Sequence, residues 1–355
     1  MKRVGGLWQR LSGWPNLALA LHRAALGKRD RPDVAQFLLD WEPRLVVLRR
    51  ELESEEYRTG GYRTFVVREP KARRISAAPF RDRVVHHALT QVLEPVFEPR
   101  FTRESCACRT GFGTHRALDY AARAAHAFPH VLQCDIRKYF PSIDHGILKG
   151  QLAGAVKCAR TLRLAATIIE GSNEQEAVSG VFPGDDLFTS LERRKGLPLG
   201  NQTSQFFANL YLNSFDHFIL REIRPRRYVR YVDDFLLFHE DKGFLKEARV
   251  RIEAHLDSLR LRLHDGKSRT YRTEDGFTFL GWRIFPEHRR LVRTNVVRFH
   301  RRMRAMWGDY RAGDLELEKV VERLRAWDAH AAHGDTWRLR EGIYQRYPFG
   351  PRCPE

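Results

Sequence analysis

Two adjacent aspartates, Asp233 and Asp234, stand between Tyr228-Val229-Arg230-Tyr231-Val232 and Phe235-Leu236-Leu237-Phe238. Runs rich in aromatic and β-branched residues favour extended chain, so the flanks are predicted strands and the acids the tip of a hairpin. Neighbouring carboxylates repel, and a short turn offers them no counter-charge in sequence. A hard divalent cation, which takes oxygen ligands, is one reason to keep such a pair; an ordinary acidic turn is the other. Asp135, about a hundred residues earlier, ends the short apolar run Val131-Leu132-Gln133-Cys134. If that run is a strand beside the hairpin in one antiparallel sheet, three carboxylates meet at one edge. Two ions ~3.5–4 Å apart in such a nest suit phosphoryl transfer, where positioning and charge neutralisation supply most of the catalysis.

The bulk properties agree with a phosphate-rich partner. The 355 residues carry a net charge of +18, with arginine spread from end to end. Such a charge favours contact with a nucleic-acid backbone. A membrane partner is not expected, because no run of about 18 apolar residues occurs. Leu17-Ala18-Leu19-Ala20-Leu21 is cut short by His22 and Arg23 and reads as a helix, without a cleavage-like site after it. The five cysteines are scattered and odd in number, as expected of reduced thiols in a cytoplasm; Cys106-Ala107-Cys108 is weak evidence for metal.

Apolar repeats predict helix from residue 16 to about 58, and Gly60-Gly61 ends it. A strand over Tyr62–Val67 leads into the basic, proline-bounded stretch Pro70 to Pro79. A helix from Asp82 is expected to stop at Pro95. Gly111 to His115 is a loop before an alanine-rich helix. Asp144 is placed as a helix cap, and residues 151–195 as helix followed by irregular loop. Further helices are expected over Gln202 to about Glu222, Phe244 to Leu259 and from Thr294 onward, with another hairpin at Phe277–Trp282. Gly184-Asp185-Asp186 has no strand leading into it and reads as structural. His86 and His87 are helical neighbours that point apart, so a shared metal is not expected.

Three segments taken together resemble the successive palm motifs of reverse transcriptases, in order and spacing. They are Asp135-Ile136-Arg137-Lys138-Tyr139-Phe140, Gly196-Leu197-Pro198-Leu199-Gly200-Asn201-Gln202-Thr203-Ser204-Gln205 and Tyr231-Val232-Asp233-Asp234. The resemblance covers nearly the whole chain. It implies an α+β right-hand polymerase: N-terminal helices and fingers over 1–125, an antiparallel-sheet palm over 126–285 with a fingers insertion around 150–195, a helical thumb over 286–347 and a tail at 348–355. It implies an RNA-directed DNA polymerase using two Mg²⁺ ions, with Mn²⁺ possible, on an RNA template, a DNA or RNA primer and dNTPs.

Carried over by position, Asp135 and Asp233 resemble the main metal ligands, Asp234 the third acid, and Ile136 a backbone-carbonyl ligand. Phe140 resembles the steric gate that excludes a 2′-hydroxyl, the group that marks ribose. Lys71, Arg73 and Arg74 look like the basic segment that clamps a triphosphate, Arg73 foremost, since a guanidinium fork matches phosphate oxygens. Leu199, Gly200 and Gln205 belong to the nucleotide-binding motif, and Lys267 looks like the lysine that can protonate departing pyrophosphate. Tyr231, the primer-grip-like Leu280, Gly281 and Trp282, and Arg298 and Arg301 of the basic helix are expected on the primer and template.

The ending Thr203-Ser204-Gln205, with Ile75 to Ala88 and Ala107 to His115, is similar to the diversity-generating retroelement group. That resemblance implies error-prone copying opposite template adenines, with Leu199 standing where accurate enzymes carry glutamine. It also implies a small basic accessory protein. Related bacterial enzymes serving phage defence or group II-like introns are the alternative, and a non-catalytic RNA binder on the same fold is a third. The seventy or so residues after Trp282 leave room for a helical thumb but not for a ribonuclease H domain.

Overall fold

In the computed structural model, residues 2–68, 72–172, 180–186 and 188–349 are described. The strands, numbered along the chain, are β1 (Arg63–Val67), β2 (Arg73–Ala77), β3 (His130–Asp135), β4 (Arg227–Tyr231), β5 (Asp234–His239), β6 (Arg269–Arg272), β7 (Phe277–Phe279), β8 (Trp282–Ile284) and β9 (Arg289–Leu291). The central sheet has the order β4-β5-β3-β6, every neighbouring pair antiparallel.

The unbroken apolar run of β5 makes sense once both faces of that sheet are covered. Side chains alternate along a strand, so a strand buried on both sides is apolar throughout. Phe235 and Leu237 join a core with Leu132, Cys134 and Tyr228, under the helices Phe80–Phe97, Gln202–Tyr211 and Lys242–Ser258. Leu236 and Phe238 face the other way, into a second core with Val131 and Val229. The alanine-rich helix Thr114–Ala127 and the small sheet β7-β8-β9 close that side. A third cluster joins the C-terminal helices: Phe299, Met303, Met306 and Tyr310 of Arg293–Ala312 pack with Val320 and Ile343. There Phe299 stacks on Trp327 with ring centroids 3.7 Å apart. No helix among the described residues is long and apolar enough to cross a membrane.

Several expectations change in detail. The stretch 16–58 is three helices, Trp14–Ala25, Pro32–Leu39 and Trp41–Glu53, restarted by Pro32 at the first turn of the second. The helix expected to stop at Pro95 runs from Phe80 to Phe97 with that proline in its last turn. Burial of Val96 and Phe97, the latter edge-on to Phe206 at 5.7 Å, offsets the lost backbone bond. The basic stretch around Arg73 is a strand that pairs with β1 as a two-stranded ribbon. Asp144 caps its helix as expected, accepting from Ile147 N at 3.0 Å.

Candidate active site

Asp135 is the last residue of β3 and Asp234 the first of β5, and the two are direct partners in the antiparallel register. Residues so paired have Cα atoms only ~4.5–5.5 Å apart. Asp233 lies in the turn between β4 and β5, and its carbonyl accepts from Ile136 N at 3.2 Å. Three carboxylates therefore gather at one end of the sheet. Burial, then the charges of Asp233 and Asp135, push the Asp234 carboxyl up to about 7. Asp233 is also raised, chiefly by burial and then by Asp135. Lys267, in the turn before β6, puts Nζ 2.8 Å from Asp135 Oδ2.

Among the described residues no three His, Cys, Asp or Glu side chains form a ready-made metal cage. The donor chemistry nevertheless fits a hard cation. The groups are oxygen donors, and two of them are held above the ordinary carboxylate range by burial and by one another's charge.

The turn that presents these acids is strained and braced from below. Val232 has φ +58°, a left-handed conformation that a β-branched residue rarely adopts. Arg230, wholly buried, donates through Nη1 to the Val232 carbonyl at 3.0 Å. The rest of its fork meets Asp216 (Nε to Oδ1 2.7 Å) and the Ser105 hydroxyl at 2.9 Å. Tyr228 donates to the same Asp216 carboxylate at 2.7 Å, and Nη1 of Arg230 also reaches Asn209 Oδ1 at 3.2 Å. Sequence reasoning missed this network. Its signal was an arginine inside an apolar strand, but the identity of its partner depends on the fold.

The ribbon separates the basic candidates. Ile75 lies against Gly200, where a Cβ would come within 2.9 Å of Ile75 Cγ2. Arg73, two residues before Ile75, shares that face of β2, and its charge lowers the Asp233 carboxyl's affinity for a proton. Arg74 is exposed on the opposite face. Strand alternation thus sets the two guanidinium groups on different faces of the ribbon, both exposed. Lys71 lies outside the described residues.

Phe140 is half-buried, edge-on to Tyr139 at 5.7 Å, and its carbonyl accepts from Leu197 N at 2.9 Å. That bond ties the motif following Asp135 to the Gly196–Gln205 motif. Leu199 is half-exposed, Gly200 exposed at φ +109°, and Gln205 exposed on the helix Gln202–Tyr211.

Tyr231, on the hairpin, accepts from the Thr114 hydroxyl at 3.1 Å. Leu280 and Gly281 form the β7–β8 turn with φ +49° and +84°, and the Gly281 carbonyl accepts from Val292 N at 3.1 Å. Trp282 is corrected: it is 0% exposed, covered by Gly334, whose added Cβ would strike the indole. Its ring anchors the turn and cannot lie on a primer. Arg298, half-buried, and Arg301, exposed, sit on the helix Arg293–Ala312, and Arg298 donates to Asn295 Oδ1 at 3.3 Å. Asp185 of the acidic loop pairs with Arg193, and Asp186 accepts from Thr189 N at 2.6 Å, so both are structural.

The chain is similar to several known proteins. "Protein YkfC" of Escherichia coli K12 is 25% identical over 71% of this chain and 74% of its own length. "Group II intron-encoded protein LtrA" of Lactococcus lactis subsp. cremoris is 24% identical over 42% of this chain. "Uncharacterized 91 kDa protein in cob intron" of Schizosaccharomyces pombe is 28% identical over 48%. The chain spans only 23% and 20% of those two longer relatives. A solved apo telomerase from Candida tropicalis aligns with a TM-score of 0.46 at 15% identity, over 63% of this chain and 53% of that one. The model of the family "Reverse transcriptase (RNA-dependent DNA polymerase)" matches residues 67–284, from the ribbon through the β7–β8 hairpin. With that match spanning more than half of the chain and all three acids, the protein belongs to the reverse transcriptase family of RNA-directed DNA polymerases.

Proposed function

We propose that this reverse transcriptase extends a DNA or RNA primer along an RNA template with dNTPs, using Asp135, Asp233 and Asp234 to hold two Mg²⁺ ions, or Mn²⁺ in their stead. The observation that carries this reading is the register pairing of Asp135 with Asp234 beside Asp233. Ile136 would add its carbonyl. Such ions, when bound, lower the pKa of a 3′-hydroxyl and neutralise triphosphate charge.

The chain's own side chains do the remaining work. Arg73 meets the triphosphate, supported by its electrostatic reach to Asp233. Phe140 lies under the sugar and rejects a 2′-hydroxyl. Leu199 and Gly200 form the floor of the nucleotide site, with Gln205 at its rim. Lys267, held against Asp135, is poised to give a proton from Nζ to departing pyrophosphate. Tyr231, the Leu280-Gly281 turn, Arg298 and Arg301 track the primer and template. The fingers, palm and thumb bounds of 1–125, 126–285 and 286–347 follow from this assignment, and the cytoplasm, which holds RNA and dNTPs, is the compartment we assign. Primer extension on an RNA template with Mg²⁺ tests the reading: wild type makes DNA and Asp233→Asn makes none. RNA retention without product in the wild type would leave only a binder.

Within the family we assign the chain to the error-prone, diversity-generating retroelement group, working with a small basic accessory protein. The support is the Leu199 to Gln205 segment, in which leucine replaces a hydrogen-bonding glutamine. A group II-like intron role is the second reading, supported by the intron-encoded relative LtrA. A near-repeat of a neighbouring gene, altered at adenines, in the flanking DNA favours the first; an intron around the gene favours the second.

A further inference from the structure

Asn201 follows the turn at Gly200 and is 2% exposed. Its side-chain amide makes the two bonds that a neighbouring strand's peptide group would make. Nδ2 donates to the Ser76 carbonyl at 2.9 Å, and Oδ1 accepts from Ala78 N at 3.2 Å. Next to it, Ser76 N donates to the Leu199 carbonyl at 3.0 Å. These three bonds stitch β2 to the Leu199–Asn201 turn, and Gly200 lets the two backbones close onto Ile75. All five residues of β1 are exposed, and an isolated two-stranded ribbon is marginal in water.

We propose that Asn201 is a positioning residue that sets where Arg73 meets the incoming nucleotide, by clipping the β1–β2 ribbon to the floor of the site. The claim rests on Arg73 as the triphosphate ligand. The physical reason is leverage. Arg73 starts the five-residue strand Arg73–Ala77, and the clip acts at its far end, on Ser76 and on Ala78 just beyond it, so freeing that end lets the guanidinium swing.

The full-length enzyme with a defined RNA template, primer and dNTPs tests this by a double-mutant cycle. Asn201→Ala is expected to raise the dNTP KM on the order of tenfold while primer–template affinity stays the same. Arg73→Ala is also expected to raise KM, and the double variant should be no worse than Arg73→Ala alone. Multiplied effects, or a kcat loss with KM unchanged, would overturn the proposal. If Asn201→Ala unfolds below the assay temperature, the isosteric Asn201→Asp, which turns an oxygen toward the Ser76 carbonyl, must show the same KM rise.

Amide exchange in the nucleotide-free chain provides a second arm. Loss of Ala78 N–H protection in Asn201→Ala is expected, and unchanged protection would refute the clip. An unaltered KM in Arg73→Ala would instead sink the reading of Arg73, and the kinetic half of this proposal with it, while the exchange result still judges the clip.

Discussion

The guanidinium of Arg230 forks onto the carboxylate of Asp216 beneath the β4–β5 hairpin, with neither side chain exposed to solvent. One arm of the same fork holds the Val232 carbonyl, so a buried ion pair and a strained turn form one unit. Breaking such a pair leaves a bare charge in a low-dielectric interior. Asp216→Asn should therefore cost about 3–5 kcal/mol of stability, read as a lowered midpoint in denaturant. Primer extension should fall as well, even below the melting temperature, because the turn loses its brace.

The acids at the hairpin should respond in the opposite sense. Asp234 has its folded pKa raised to about 7 from an ordinary 3.8, by burial first and then by Asp233 and Asp135. A raised folded value means stability is full below the unfolded pKa and drains as pH climbs toward 7. Without divalent ions, Asp234→Asn should thus melt a few degrees higher than wild type at pH 7–8 while making no product. Thermal melts with and without Mg²⁺ check this, since added Mg²⁺ should narrow the gap.

His86 supplies a contrary slope. It is fully buried, and neither ring nitrogen has a hydrogen-bond partner among the described residues. Burial, then His87 and Arg83, lower its folded pKa to about 3. With the folded value below the unfolded 6.5, stability is present above that pH and is lost on acidification, by at most about 1.4 kcal/mol per unit. His86→Leu should flatten the fall in unfolding free energy between pH 6.5 and 4. A variant as acid-sensitive as wild type would refute that account.

Phe140 offers a test of sugar choice. If its ring occupies the space of a 2′-hydroxyl, Phe140→Ala should raise the efficiency of ribonucleotide incorporation roughly tenfold or more relative to dNTPs. Single-nucleotide kinetics with matched dNTP and NTP provide the ratio.

Leu199 offers a test of the proposed error-prone copying. If its side chain meets the nucleotide, it offers only apolar contact where an amide could hydrogen-bond. Leu199→Gln is expected to lower misincorporation opposite template adenine several-fold, with other mismatches less affected. Sequencing of the DNA copied from one RNA template measures it, and an unchanged error spectrum removes Leu199 from the account.

What the sequence by itself determined is local. Alternating and continuous apolar runs marked β3, β4 and β5; an acid before a helical stretch marked the Asp144 cap; and three motifs in order identified the family. Each of these depends on residues close together along the chain. The tertiary structure alone decided the rest. It set Asp135 opposite Asp234 rather than merely near it, placed Lys267 on Asp135, and put Arg73 and Arg74 on opposite faces of β2. It also buried Trp282 under Gly334, and joined Arg230 to Asp216 and Asn201 to Ser76 and Ala78. Those outcomes follow from strand register and from contacts between residues up to 132 positions apart. A one-residue slip would reverse every facing, and no local propensity encodes which register wins.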